Sequence, residues 1–121
     1  MSNIQISNSK QYDLEERTLS FAHRVGCYVN KLPKTISNLE NGKQLVRAAG
    51  SIGANYIEAN ESLSRRDFAM RIKISRKEAK ESRYWLELTE PLSEEERERE
   101  SMIQEATELG KIFGSILEKS K

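Results

Sequence analysis

The stretch Gln44–Glu58, QLVRAAGSIGANYIE, decides the fold. Set at about 100° per residue, Leu45, Ala49, Ile52 and Tyr56 fall on one line with Gly53 beside them, so one face mixes large and very small side chains. About a third of a revolution away, Arg47, Ser51, Asn55 and Glu58 form a polar line. The same helix carries Ala48, Gly50 and Ala54, and it tolerates glycine at a cost of about 1 kcal/mol per residue. Close approach of neighbouring helices accounts for that tolerance and places the segment at the centre of an assembly.

The remaining chain fits around such a helix. Its 121 residues suit one domain that buries a core without metal or disulfide staples. With 36% hydrophobic and 32% charged residues and two prolines, the composition is that of long amphipathic helices, and the fold class is all-α. A net charge of +1 excludes a molecule that is polybasic or acidic as a whole, so electrostatic recognition must come from local asymmetry. The single cysteine, Cys27, has no partner for an intramolecular disulfide, and no charged-then-apolar leader opens the chain. No apolar run approaches the roughly 20 residues that cross a bilayer. The expectation is a soluble cytoplasmic protein with no membrane partner.

Residues 1–12 are polar apart from Ile4 and Ile6 and read as a flexible tail. Asp13 suits the N-cap of a first helix over about 13–32, with Glu15 and Glu16 against its dipole and Leu14, Thr18, Phe21, Val25, Tyr28 and Leu32 on one core line. Pro33 ends it. A second helix, about 38–60, takes Asn38 or Asn41 as its cap. Ser64 and Asp67 form a capping-box variant before a third, about 65–90, which Pro91 ends; Ser93 and Glu96 form a regular box before the fourth, about 94–118. That helix turns Met102, Ile103, Ala106, Leu109, Phe113, Ile116 and Leu117 inward. Short connections between four helices predict an antiparallel up-down-up-down bundle over 13–121.

The third helix has more than one face. Phe68, Ile72, Ser75, Ala79, Ser82 and Leu86 mark its core line. Met70, Ile74, Trp85 and Leu88, with Tyr84 at the margin, lie on the opposite half, where a lone bundle would expose them. Large apolar patches rich in Trp and Tyr mark contact surfaces, so these five residues predict a subunit interface in a homo-oligomer, the alternative being that Trp85 lies half-covered by loops of its own chain. Between the two faces runs a basic stripe of Lys73, Arg76, Lys80 and Arg83, extended by Arg65, Arg66 and Lys77. From Arg65 to Arg83 eight basic residues stand against three acidic ones, a net +5, whereas Glu94–Lys121 has eight acidic against five basic, a net −3. Two outcomes are open at this point: the stripe neutralises phosphates of RNA or DNA without reading sequence, or it is solvated and paired with the acidic fourth helix.

No residue pattern supports catalysis. His23 is the only histidine and lacks Cys or carboxylate at metal-ligand spacing. Cys27 lies off the core line without a resolving partner. Glu58 and Glu81 can approach each other between adjacent helices, but without a Glu-x-x-His motif a di-iron site is disfavoured. A register-setting polar network of Arg47, Ser51, Asn55, Glu58 and Glu81 is expected instead. Gly50 and Gly53 lie inside a helix rather than in a phosphate loop. The expectation is a non-enzyme with no cofactor and no metal.

At these residues the chain resembles the bacterial four-helix-bundle family typified by the 23S rRNA intervening-sequence protein, to which the accessory variability protein of diversity-generating retroelements is related. The likeness rests on QLVRAAGSIGANYIEA, where Gln44, Arg47, Ser51, Ile52, Asn55 and Glu58 match the family's second-helix signature. It continues through SRRDFAMRIKISRKEAKESRYWLEL, with Asp67, Phe68, Glu81 and Leu86 at matching places, and spans roughly Phe21 to Leu117. The resemblance implies a bundle assembled into a ring, typically a homopentamer, without known catalytic activity. In the retroelement relatives it implies binding of a reverse transcriptase and nucleic acid through basic surfaces; in the intervening-sequence members the setting suggests RNA binding. The chain departs from the pattern in having Glu58-Ala59 where many members have Glu-Gly, and in a modest overall charge. Two functions follow as expectations: an oligomeric accessory protein that binds RNA, DNA or a nucleic-acid enzyme through helix 3, or an adaptor homo-oligomer for protein partners that touches no nucleic acid.

Overall fold

The computed structural model describes the backbone of residues 3–121 and the side chains from Leu14 onward. Four helices follow one another: α1 (Asn3–Asn30), α2 (Ile36–Asn60), α3 (Arg65–Leu88) and α4 (Glu96–Lys119), the last preceded by a 3-10 turn over Ser93–Glu95. Rising numbers on each helix meet falling numbers on the next. Thr18 and Val29 of α1 lie against Gly53 and Gly42 of α2, Arg47 and Asn55 of α2 reach Glu78 and Arg71 of α3, and Arg76 and Arg83 of α3 lie beside Gly114 and Thr107 of α4. Arg17 and Arg24 of α1 close the circuit on Glu105 and Glu98 of α4. This is the expected up-down-up-down bundle.

The helix ends differ from expectation in instructive ways. α1 begins at Asn3, so most of the expected tail lies in the helix and Asp13 is an interior position rather than a cap. Of the expected tail, Met1 and Ser2, and the side chains of Ile4 and Ile6, lie outside the described residues. No glycine or proline precedes Gly26, and lengthening a helix already nucleated by its packed part adds one hydrogen bond per residue fixed. α2 is capped by Thr35, whose hydroxyl accepts the Asn38 N–H at 3.1 Å, and not by Asn38 or Asn41. Asn38 is a buried clamp: its amide donates to the carbonyls of Pro33 and Glu90 and accepts from the Glu90 N–H, tying the α1–α2 turn to the α3–α4 connection. Ser64 caps α3 as expected, accepting from the Asp67 N–H at 3.1 Å. Ser93 does not cap α4, because the chain first winds its 3-10 turn, and Glu95 in the cap position makes no side-chain capping bond.

The core follows the sequence periodicity closely. Leu14, Thr18, Phe21, Val25, Tyr28 and Leu32 are buried from α1 and its exit, and Leu45, Ala49, Ile52 and Tyr56 from α2. α3 contributes Ile72, Ser75, Ala79, Ser82 and Leu86, with Phe68 half-buried; α4 contributes Met102, Ala106, Leu109 and Phe113. The serines create no penalty: Ser75 donates to the Ile52 carbonyl across the α2–α3 seam, and Ser82 to the Glu78 carbonyl within α3.

α3 stops at Leu88 because Thr89 turns inward. Its buried hydroxyl donates to the Leu86 carbonyl at 2.6 Å and so accepts from the Tyr28 hydroxyl, also at 2.6 Å. Burial pushes the Tyr28 phenol above its ordinary value of 10.0, since the phenolate would lose its hydration. A folded-state value raised in this way leaves stability intact below the unfolded value and removes it as pH rises through the folded one. Tyr28→Phe is therefore expected to cost about 1 kcal/mol at neutral pH for the lost hydrogen bond. Urea midpoints measured from neutral pH to about pH 11 should fall less for the variant than for the wild type. Parallel alkaline curves would refute this assignment.

Candidate nucleic-acid interface

α3 carries the residues singled out above, and the α2–α3 seam fixes its rotation. The expected polar network exists there in two halves. In one, Arg47 lies 3.4 Å from Glu78 and 3.5 Å from Glu81. In the other, the Asn55 amide donates to both the Ser51 carbonyl and hydroxyl at 2.9 Å, while its oxygen accepts from Arg71 at 3.1 Å, and Arg71 lies 3.9 Å from Glu58. Glu58 and Glu81 therefore belong to different halves and do not form a carboxylate pair. Glu78 and Arg71, absent from the expected set, hold the centre of each half. Glu78 is buried with one carboxylate oxygen unpartnered, so its contact with half-exposed Arg47 serves register more than stability.

With α3 so oriented, the basic stripe divides. At about 100° per residue, Arg66, Lys73, Lys77 and Lys80 point outward and are exposed. Arg76 and Arg83 lean toward α4: Arg76 is half-buried over Gly114, and Arg83 donates to the Thr107 hydroxyl at 3.2 Å and to Glu87 at 3.1 Å. Arg65 is exposed in the first turn. Among the described residues, Arg83 is the one member of the seven with a carboxylate within 4.0 Å. Three acidic residues of α4 are engaged by α1. Arg17 grips Glu105 through two bonds of 2.7 and 2.8 Å and also reaches Glu108, and Arg24 grips Glu98 through two of 3.0 Å. The bond to Glu105 holds the Arg17 guanidinium well above its ordinary pKa, and the bonds from Gln104 and Arg17 hold the Glu108 carboxyl below its own.

Of the expected interface residues, Met70, Tyr84 and Leu88 are exposed, whereas Ile74 and Trp85 are half-buried. Trp85 packs against the core and meets Tyr84 edge to face at 5.0 Å, with its indole N–H unpartnered. Met70, Tyr84 and Leu88 share the outward side of α3 with Lys73 and Lys77, so cations and apolar groups interleave instead of lying on separate faces. A second outward apolar line, which the sequence reading passed over, is formed on α2 by Leu39, Val46 and Ile57, each about half exposed (47%, 47% and 50%). His23 and Cys27 are both exposed on α1. No helix among the described residues is long and apolar enough to cross a membrane.

An antiparallel four-helix bundle with a basic third helix beside an acidic fourth is the class these features define. The chain belongs to the family described as 23S rRNA-intervening sequence protein, whose model matches residues 10–115. It is similar to the crystal structure of a protein of unknown function from the S23 ribosomal protein family of Bacteroides thetaiotaomicron VPI-5482, at 35% identity and a TM-score of 0.73, over 86% of this chain and 97% of that one. No curated protein matches it.

Proposed function

We propose that the protein is a non-enzymatic, oligomeric accessory protein that binds RNA or DNA through α3. The observation that carries this is the set of uncompensated cations: Arg65, Arg66, Lys73, Arg76, Lys77 and Lys80 have no carboxylate within ion-pair distance among the described residues, while Glu98, Glu105 and Glu108 of α4 are drawn to α1. No ion pair joins α3 to α4 among the described residues, which favours a free basic surface over mutual neutralisation. Unpaired cations on a rigid helix release counterions from a phosphate backbone and need no sequence readout. The family's name places its members with an intervening sequence of 23S rRNA, a setting that fits this reading.

Assembly into a ring-like homo-oligomer, a pentamer by resemblance, belongs to the same proposal. A ring joins two unlike patches head to tail. Outward apolar groups stand on two different faces, Met70, Tyr84 and Leu88 on α3 and Leu39, Val46 and Ile57 on α2. Repeating α3 around such a ring multiplies the phosphate contacts.

The test is fluorescence anisotropy with a labelled RNA at a series of salt concentrations. Wild-type affinity should fall steeply with salt, and the combined Arg76→Glu, Lys80→Glu, Arg83→Glu variant should bind at least about tenfold more weakly, with a salt slope smaller by about one per contact removed. Binding that ignores salt, or no binding to RNA or DNA at all, defeats the proposal and leaves the protein-adaptor function in its place.

A further inference from the structure

Four cations border a groove between α3 and α4 that a diffuse basic surface does not require. Arg76, Lys80 and Arg83 rim it from α3 and Lys111 from α4, around a cavity of about 240 Å³. Among the described residues, Arg76, Lys80 and Lys111 have no carboxylate within 4.0 Å, and the Arg83 bonds to Glu87 and Thr107 leave part of its guanidinium unused. Arg76 is half-buried beside the cavity and makes no hydrogen bond to any described side chain or carbonyl, so its guanidinium N–H groups are free for a ligand.

The floor has the opposite character. Ala79, Ala106, Gly110 and Gly114 present almost no side chain. A Cβ built on Gly110 would stand 3.9 Å from the Ala79 Cβ, and one on Gly114 would stand 3.7 Å from Arg76 Nε, both ordinary contacts. Alanine would therefore fit at either position and would improve the helix by about 1 kcal/mol. Own-chain packing does not explain these glycines; a floor kept open does.

A ligand for this groove needs a flat, weakly polar part for the floor and an anionic part for the rim, which is the constitution of a nucleotide. The volume lies below the roughly 300–1,000 Å³ of pockets that enclose drug-sized molecules, so it suits one base rather than a longer segment. A base in a duplex is stacked and paired and cannot reach such a floor, whereas an unpaired strand can splay one out. We infer that the α3–α4 groove takes an unpaired base of a single-stranded nucleic acid, with the adjoining phosphates on Arg76, Lys80, Arg83 and Lys111. This rests on the nucleic-acid function proposed above and makes the partner single-stranded.

The experiment compares a labelled unstructured RNA with a labelled RNA hairpin duplex of equal length, using the full chain. Gly110→Leu fills the floor without changing charge, Lys111→Glu alters an exposed side chain and so preserves the fold, and Lys73→Glu with Lys77→Glu alters α3 outside the groove. Wild type should prefer the single strand. Gly110→Leu should weaken single-strand binding about tenfold while leaving duplex binding unchanged, and Lys111→Glu should weaken the single strand in the same direction with an unchanged thermal melt. Single-strand binding that survives both groove variants but is lost in the Lys73/Lys77 variant overturns the groove and leaves the nucleic-acid function standing. Equal weakening of both ligands by Gly110→Leu also overturns it, and a wild type that binds neither RNA overturns both.

Discussion

Gly53→Leu is expected to lower the free energy of unfolding by about 3 kcal/mol, the upper end of the usual cost of overpacking. A Cβ on Gly53 would stand 2.8 Å from Thr18 Oγ1 and 3.2 Å from Thr18 Cβ, closer than carbon and oxygen can approach without movement. Thr18 cannot easily yield. It is 2% exposed, its hydroxyl donates to the Glu15 carbonyl at 2.9 Å, and a β-branched side chain in a helix has few rotamers. A larger side chain must therefore push α1 off α2. Alanine at the same position should cost less, because its gain of about 1 kcal/mol in helix propensity offsets part of the clash. Gly50, three residues earlier, is the control: a Cβ there meets nothing within 4 Å, so Gly50→Ala should stabilise the protein. Urea denaturation of the three variants, with Gly53→Ala repeated in a Thr18→Ala background, checks the account. If Gly53→Leu melts with the wild type, or Thr18→Ala gives no relief, close approach is not what the glycine provides.

This contrast also marks how far the sequence could be read. The core lines of all four helices were legible, since burial in a bundle repeats with the helix period, and Ser64 was legible because its cap is completed three residues away. Gly53 was legible as the glycine beside the core line, but not how tightly Thr18 of α1 meets it, for only the neighbouring helix sets that distance. Asn38 was misread as a cap for a similar reason: its partner, Glu90, is 52 residues away. Glu78 and Arg71 left a usable trace. They are seven apart on α3 and so on one side, opposite Arg47 and Asn55 once α2 and α3 are known to run antiparallel. Ala106, Gly110 and Gly114, spaced by four, left a similar trace for the groove, but α4 was read only for its apolar face. The division of the basic stripe depends on where α4 sits beside α3, which periodicity in one helix does not contain.

Phe113→Ala is expected to cost about 3–5 kcal/mol, and Arg17→Ala about 1 kcal/mol or less, although the ion pairs between α1 and α4 are the more conspicuous link. Phe113 is fully buried and stands 5.8 Å from the Tyr56 ring at a 59° tilt, so truncation removes apolar contact, leaves a cavity and breaks an aromatic pair. Arg17 holds Glu105 through two short bonds, but its side chain is 28% exposed and that of Glu105 18%, so water and salt compete for both. Against a total stability of about 5–15 kcal/mol for a domain, the phenylalanine alone decides whether the bundle persists. Salt separates the two causes. Raising it should bring Arg17→Ala and wild type together in urea midpoint, while the deficit of Phe113→Ala persists. An Arg17→Ala loss as large as that of Phe113→Ala would mean that α1 is held to the bundle by charge. Because Phe113 lies between Gly110 and Gly114 on α4, the same core contact that holds the helix also holds the floor of the groove in place beside Arg76 and Arg83.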